Sequence, residues 1–226
     1  MCMNKENIKL LTFGVAFSRK FKILDSWGEI ADNILYGNGN KYFSSEFFPK
    51  ISSSYTIERR LYNDKKKHLF LLSSNNLIFT QEIEKDFDPE YKLFKKRVEE
   101  YIVPKILSEY TLVTRRLGMV YFCECTDDEI KKFSSKYFNS SAQDIMDFRF
   151  SQKEPTGKGL TFAGNSDFIN KIFTVGNFFD STKGISYDYQ EHYTPPREDV
   201  RNQIKEFMNS SFKGFENDII NNRGTK

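Results

Sequence analysis

Two stretches of the chain alternate apolar with small or polar residues at a period of two. From Leu10 to Phe17, the residues Leu11, Phe13, Val15 and Phe17 fall on one side, and Thr12, Gly14, Ala16 and Ser18 on the other. From Thr111 to Cys125, Val113, Leu117, Met119, Tyr121 and Cys123 fall on one side, and Thr114, Arg116, Gly118 and Glu124 on the other. Successive side chains of a strand point to opposite faces, so each stretch predicts a strand with one face on a core. Aligning Gly14 with Gly118 superposes Phe13 on Leu117, Val15 on Met119 and Phe17 on Tyr121. A slip of one residue would set those faces against each other.

The segments between carry matching punctuation. Ser26-Trp27-Gly28-Glu29 reads as a capping box opening a helix to about Tyr36, with Ile30, Ile34 and Leu35 as its apolar stripe, stopped by Gly37-Asn38-Gly39-Asn40. After a loop through Phe47, Phe48 and Pro49, Tyr55 to Tyr62, His68 to Leu72 and Leu77 to Ile83 read as a meander of three strands, with turns at Asn63 to Lys67 and Ser73 to Asn76. Asp88-Pro89 reads as a helix start, with Tyr91, Phe94, Val98, Tyr101 and Ile102 at helical spacing and Pro104 as a kink or stop. In the second half Thr126-Asp127-Asp128-Glu129 is again a capping box, leading Ile130 and Phe133. Strands follow at Ile145 to Phe150, Ile169 to Val175 and Ile185 to Tyr193, with a loop carrying Gly157, Gly159 and Gly164 after the first. Thr194-Pro195-Pro196 then reads as the start of a terminal helix carrying Val200, Ile204, Phe207, Met208, Ser211 and Phe215.

Both halves, 1–110 and 111–226, thus read β-α-β-β-β-α. The expected fold is α+β, two pseudo-repeats forming one compact unit, a curved antiparallel sheet backed by helices. This order of elements resembles the duplicated halves of the TATA-box-binding protein fold and, more loosely, the paired strand-helix-strand-strand modules of bacterial effector-binding domains. That resemblance implies that the first strands of the two halves lie side by side at the centre of the sheet. VTRRLGMVYFCE, followed by GISYDYQEH and a terminal amphipathic helix, is similar to a sporadically distributed family of uncharacterised prokaryotic proteins often found in variable genome regions. That second resemblance covers most of the chain. It implies an accessory or defence-associated role, in a prokaryotic defence or mobile-element system, and supplies no catalytic residue.

Composition narrows the partners. The 34 basic and 31 acidic residues leave a formal charge of +3, too close to balance to mark a nucleic-acid or anionic-membrane binder by itself. With 23 Phe and 12 Tyr the chain suits packed sheets and is not wholly disordered. No apolar run approaches the ~18 residues of a membrane span. The N-terminus MCMNKENIKLL has no apolar stretch of a signal peptide. Cys2, Cys123 and Cys125 make an odd set unsuited to a disulfide framework, so a soluble cytoplasmic protein is expected.

Candidate chemistry is sparse, and neither cofactor, metal nor catalytic residue is expected. Cys123-Glu124-Cys125 puts two thiols on one side of a strand, but Cys2, His68 and His192 do not complete a zinc set at ligand spacing, and core cysteines are the simpler reading. Gly157-Lys158-Gly159 lacks the phosphate-loop pattern. Asp188, Gln190 and His192 line the polar side of the last strand, suited to a polar ligand, to hydrolase-like base chemistry, or simply to a solvated sheet face. No nucleophile motif accompanies either histidine. Among the basic clusters, Arg60 and Arg116 are expected on the sheet face away from the helices, while Lys65, Lys66 and Lys67 occupy a turn. The leading expectation is a binding or assembly protein engaging a protein partner or small ligand through Arg116, Arg60, Asp188, Gln190 and His192. The alternative is a nucleic-acid binder using Arg60, Arg116 and Lys65 to Lys67 for phosphates.

Overall fold

The computed structural model describes residues 4–52, 58–137, 148–155, 167–178 and 182–221. Their strands are β1 (Ile8–Phe17), β2 (Lys50–Ser52), β3 (Glu58–Asn63), β4 (His68–Ser73), β5 (Asn76–Glu82), β6 (Thr114–Glu124), β7 (Phe148–Pro155), β8 (Phe168–Phe178) and β9 (Thr182–Arg197). The helices are α1 (Lys22–Asp25), α2 (Trp27–Leu35), α3 (Phe87–Arg97), α4 (Asp127–Tyr137) and α5 (Arg201–Phe215). The strands form one antiparallel sheet in the order β2-β3-β4-β5-β1-β6-β9-β8-β7, so the fold is mixed α+β with β1 beside β6 near its middle. Expected strand positions Tyr55 to Ile57 and Ile145, and the loop with Gly157, Gly159 and Gly164, lie outside the described residues.

The core sits between the sheet and the helices. Leu11, Phe13, Val15 and Phe17 are buried, as are Leu117, Met119, Tyr121 and Cys123. Phe70 stacks on Trp27 of α2, Phe79 on Phe94 of α3, and Phe13 meets Phe207 of α5 edge-on. Phe173 of β8 lies against Phe133 of α4. Helices α2, α3, α4 and α5 therefore cover one face. The buried Tyr121 hydroxyl in this layer is satisfied: it lies 3.2 Å from that of Tyr91 and 2.9 Å from Ser211 Oγ. Arg97, only 6% exposed, donates from Nε to the Tyr42 carbonyl at 2.8 Å and from Nη1 to Gln81 Oε1 at 2.5 Å, with its guanidinium 4.2 Å from the Phe47 ring centroid.

Several local expectations change. Thr126 and Glu129 make the capping box, Glu129 N–H donating to Thr126 Oγ1 and Thr126 N–H to Glu129 Oε2. Ser26 caps α2 without a side-chain bond, because Ser26 and Glu29 lie instead beside the Tyr110 phenol, whose pKa is raised by burial first and then by the Glu29 and Glu109 charges. Helix α3 starts at Phe87, with Asp86 at the cap, and places Asp88 in its first turn facing the Lys5 ammonium. Pro104 does not end the helix. The chain widens into a π-helix over Val98–Ser108, which shifts the carbonyl that an α-helix would drive into the proline ring, and Tyr101, Ile102, Ile106 and Leu107 hold it by burial.

The prolines Pro195 and Pro196 do not open a helix either: β9 runs on to Arg197, and α5 starts at Arg201. They are tolerated because the β6 ladder skips from His192 to Arg197 and the β8 ladder ends at His192, so no ladder bond needs their missing N–H groups. In the β1 ladder Ala16 pairs with Arg116 and Phe17 with Thr114, a bulge at Arg115 that turns Thr114, 1% exposed, to the core side rather than to the side of Arg116. The short edge strand β2 falls in a stretch read as loop, since three residues show no alternation.

Candidate functional site

The second face of the sheet carries no helix among the described residues. Its rows are fixed by register. Arg60, Leu71, Ile78, Gly14, Gly118, Gln190, Asn170 and Lys153 lie in one line across the strands. Thr80, Thr12, Val120, Asp188 and Ile172 form the next row on one side, and Ala16, Arg116, His192 and Phe168 the row on the other. This is not a simple solvated face, because Leu10, Leu71, Phe122, Ile172 and Gln190 are buried on it.

At its centre Gly14 pairs with Gly118 in unbroken register. A Cβ built on Gly14 would meet nothing within 4 Å, and one on Gly118 only Asp188 Oδ1 and the Gly14 carbonyl oxygen, both at 3.8 Å. Neither a bulge nor a crossing backbone calls for glycine here. The two residues leave a bare backbone floor in the middle of the face.

Three residues of β9 border that floor as a bonded row. Gln190 Nε2 donates to Asp188 Oδ2 at 2.6 Å, and His192 Nε2 lies 3.1 Å from Gln190 Oε1. With Gln190 Oε1 as acceptor, the imidazole carries its proton on Nε2 and leaves Nδ1 free to accept. Burial raises the Asp188 pKa, against the pull of the Gln190 bond and the Arg116 and Arg149 charges. Burial, followed by the Arg116 and Lys153 charges, pushes His192 down to about 4, so the ring is neutral at pH 7. An amide between acid and base passes no proton, so this row suits recognition better than an acid–base relay.

Arg116 is half-buried beside His192 and has no ion-pair partner among the described residues. Arg60 shares the face but stands four strand spacings from Gly118, about 19 Å, and pairs with Glu58 at 2.5 Å. Lys65, Lys66 and Lys67 form the β3–β4 turn, where Lys66 pairs with Glu84 and Lys67 takes a left-handed φ of 46°. The structure thus gathers Arg116, Asp188, Gln190 and His192 and leaves Arg60 and the lysine turn apart. Arg60 and Lys67 instead border a cavity of about 690 Å³ together with Leu10, Thr12, Tyr62 and Thr80.

Three residues that sequence reasoning did not single out join the cluster. Phe168 stacks on His192 with ring centroids 4.3 Å apart and planes 9° apart, and Lys153 Nζ lies 3.8 Å from the Phe168 centroid. Arg149 stands on the same face, in register with Thr174, Ser186 and Phe122. Phe168 continues the alternation of β8 one step before Ile169 and Asn170, a signal present in the sequence; Arg149 and Lys153 had none.

Cys123 and Cys125 are buried in the core, where burial pushes the Cys125 thiol up to about 12 and raises that of Cys123. Both stay protonated and are poor nucleophiles or ligands. Among the described residues no three His, Cys, Asp or Glu side chains are grouped to hold a metal ion, and no helix is long and apolar enough to cross a membrane. Compared with protein-family models and with curated proteins, the sequence shows no match.

Proposed function

We propose that this chain is a non-catalytic binding protein that engages an anionic ligand or partner on the helix-free face of its sheet. The observation that carries this reading is the Gly14/Gly118 floor, bare although neither sterics nor backbone conformation requires glycine, with Arg116, which has no ion pair among the described residues, at its side. A guanidinium offers planar, two-pronged hydrogen bonding to a carboxylate or phosphate. Gln190 and the neutral His192 add polar groups along one wall, and the buried Asp188 sets an acceptor beside the floor. Its setting would be a prokaryotic defence or mobile-element system, as the resemblance of VTRRLGMVYFCE and GISYDYQEH implies; the neighbouring genes would test this.

The near-symmetric strand order, β3-β4-β5-β1 against β6-β9-β8-β7, supports reading the halves as two copies of one plan. In that reading the glycine floor marks the axis between the copies, and superposing the two sets of strands checks it.

The function is tested by calorimetric titration of phosphorylated and carboxylated compounds and polyanions into the wild-type protein, Arg116→Ala and Gly118→Val. An anion bound by the wild type should lose about 1.5 to 3 kcal/mol of affinity in Arg116→Ala and its binding altogether in Gly118→Val. Equal binding by all three folded proteins would remove the site from this face.

A further inference from the structure

We propose that the anion is single-stranded nucleic acid, with one base stacked on Phe168 and separate phosphates of the strand held by Arg116, Arg149 and Lys153. This rests on the anion-binding reading above and names its class of ligand. The first support is charge. Several cations on and around the sheet pair with acids, among them Lys5 with Asp88, Lys50 with Asp64, Arg60 with Glu58, Lys183 with Asp127 and Arg197 with Asp167. Arg116, Arg149 and Lys153 share one face and have no ion-pair partner among the described residues. Asp188, the carboxylate between them, feels the Arg116 and Arg149 charges and offsets part of them. Three cations against this one carboxylate leave the cluster with an excess of positive charge on a chain whose formal charge is only +3. Arg116 and Lys153 stand three strand spacings apart, about 14 Å, which suits different phosphates of one extended strand better than a single compact anion.

The second support is the ring stack. Phe168 is half-exposed, with one face on His192 and the other under the Lys153 ammonium. An exposed cation–π contact favours its geometry by about two- to fivefold, whereas a nucleobase stacked on an aromatic side chain gains about 5- to 150-fold. A base therefore displaces the ammonium from Phe168, and the freed Lys153 is left beside the phosphate of that same nucleotide. Stacking needs a base with an open π-face, which a paired duplex encloses, and an acidic peptide would use the cations but leave Phe168 idle.

The test is fluorescence anisotropy with a short fluorescein-labelled oligothymidylate, competed by inorganic polyphosphate and by a duplex of equal length. The oligothymidylate should bind with a Kd of about 1 to 100 µM at physiological salt. Phe168→Leu, which keeps an apolar side chain and removes the ring, should weaken binding about fivefold or more. Lys153→Ala and Arg149→Ala should each reduce the slope of log affinity against log salt by about 0.7. Unchanged affinity in Phe168→Leu, or a duplex that competes as well as the single strand, overturns the proposal. Polyphosphate binding as tightly as the oligothymidylate and depending on Arg116 overturns the nucleic-acid class and leaves the anion-binding face standing. Binding of neither probe overturns both.

Discussion

Gly14 lies directly opposite Gly118 across the β1–β6 ladder, with the Gly14 carbonyl oxygen 3.8 Å from where a Gly118 Cβ would sit. Both are strand-interior positions with room for a side chain, and glycine there costs about 0.5 to 1 kcal/mol relative to alanine. Gly14→Ala and Gly118→Ala should therefore fold and gain up to that amount in urea unfolding, while valine at either position fills the floor and abolishes ligand binding. A fold made more stable by alanine and a ligand lost to valine at the same position would separate scaffold from site.

Asp188 should behave as a carboxylate kept at a cost. Its pKa is raised by burial, so the ionised form is disfavoured in the folded state, and the stability it contributes is lost as pH rises through its folded pKa. Asp188→Asn keeps an acceptor for Gln190 and removes the charge. Its melting temperature at pH 7 should exceed that of the wild type, and the difference should vanish in acid, where the wild-type carboxyl is itself neutral.

The two histidines set an acid limit. His68, buried against Phe47, and His192 both have folded pKa values of about 4 against an ordinary 6.5, with burial as the first cause. Folding keeps both rings neutral while the unfolded chain takes up protons, so their contribution is full above pH 6.5 and is lost as pH falls toward 4. Melting temperature should fall over that window, and imidazole NMR signals of the folded protein should show no titration near pH 6.5.

Arg97 is a charge buried without a carboxylate bonded to it, held by the Tyr42 carbonyl, Gln81 and the face of Phe47. Arg97→Ala strands those two acceptors and leaves a void beneath α3, a loss of about 3 to 5 kcal/mol in chemical denaturation. A cost below about 1 kcal/mol would mean that water replaces the guanidinium.

The two capping motifs make a paired control. Thr126→Ala removes a capping bond seen in the structure and should cost about 1 kcal/mol, whereas Ser26→Ala removes no capping bond, only the hydroxyl beside the Tyr110 phenol, and should cost less.

The same pair shows where sequence reading succeeds and where it stops. Period-two patterns identified both central strands and their buried faces, and helical spacing identified the buried stripes of α2 to α5, because burial writes itself directly into residue type. Capping signals are local and yield to tertiary neighbours, as Ser26 and Glu29 do to Tyr110. The prolines at 104 and at 195 and 196 were misread for a related reason: proline forbids particular hydrogen bonds, and the π-helix and the gap in the β6 ladder at 195 and 196 need none of them. Of the candidate site, the row Asp188, Gln190, His192 and the face of Arg116 were legible from alternation. The face of Phe168 follows the alternation of β8, but its approach to His192, and the places of Arg149 and Lys153, were not legible, since they depend on β7 and β8 pairing beside β9, which no single strand encodes.

The place of β1 in the strand order has a consequence for synthesis. Once β5 has emerged from the ribosome, β1 can pair with it, but until β6 follows the edge that β6 will occupy stands open along nearly its whole length. An unprotected edge of an apolar strand is a template for pairing with other chains. Two nascent first halves can join there edge to edge, each supplying the other with a false β6, so a chain cut near residue 110 should form swapped dimers or aggregates rather than a soluble half.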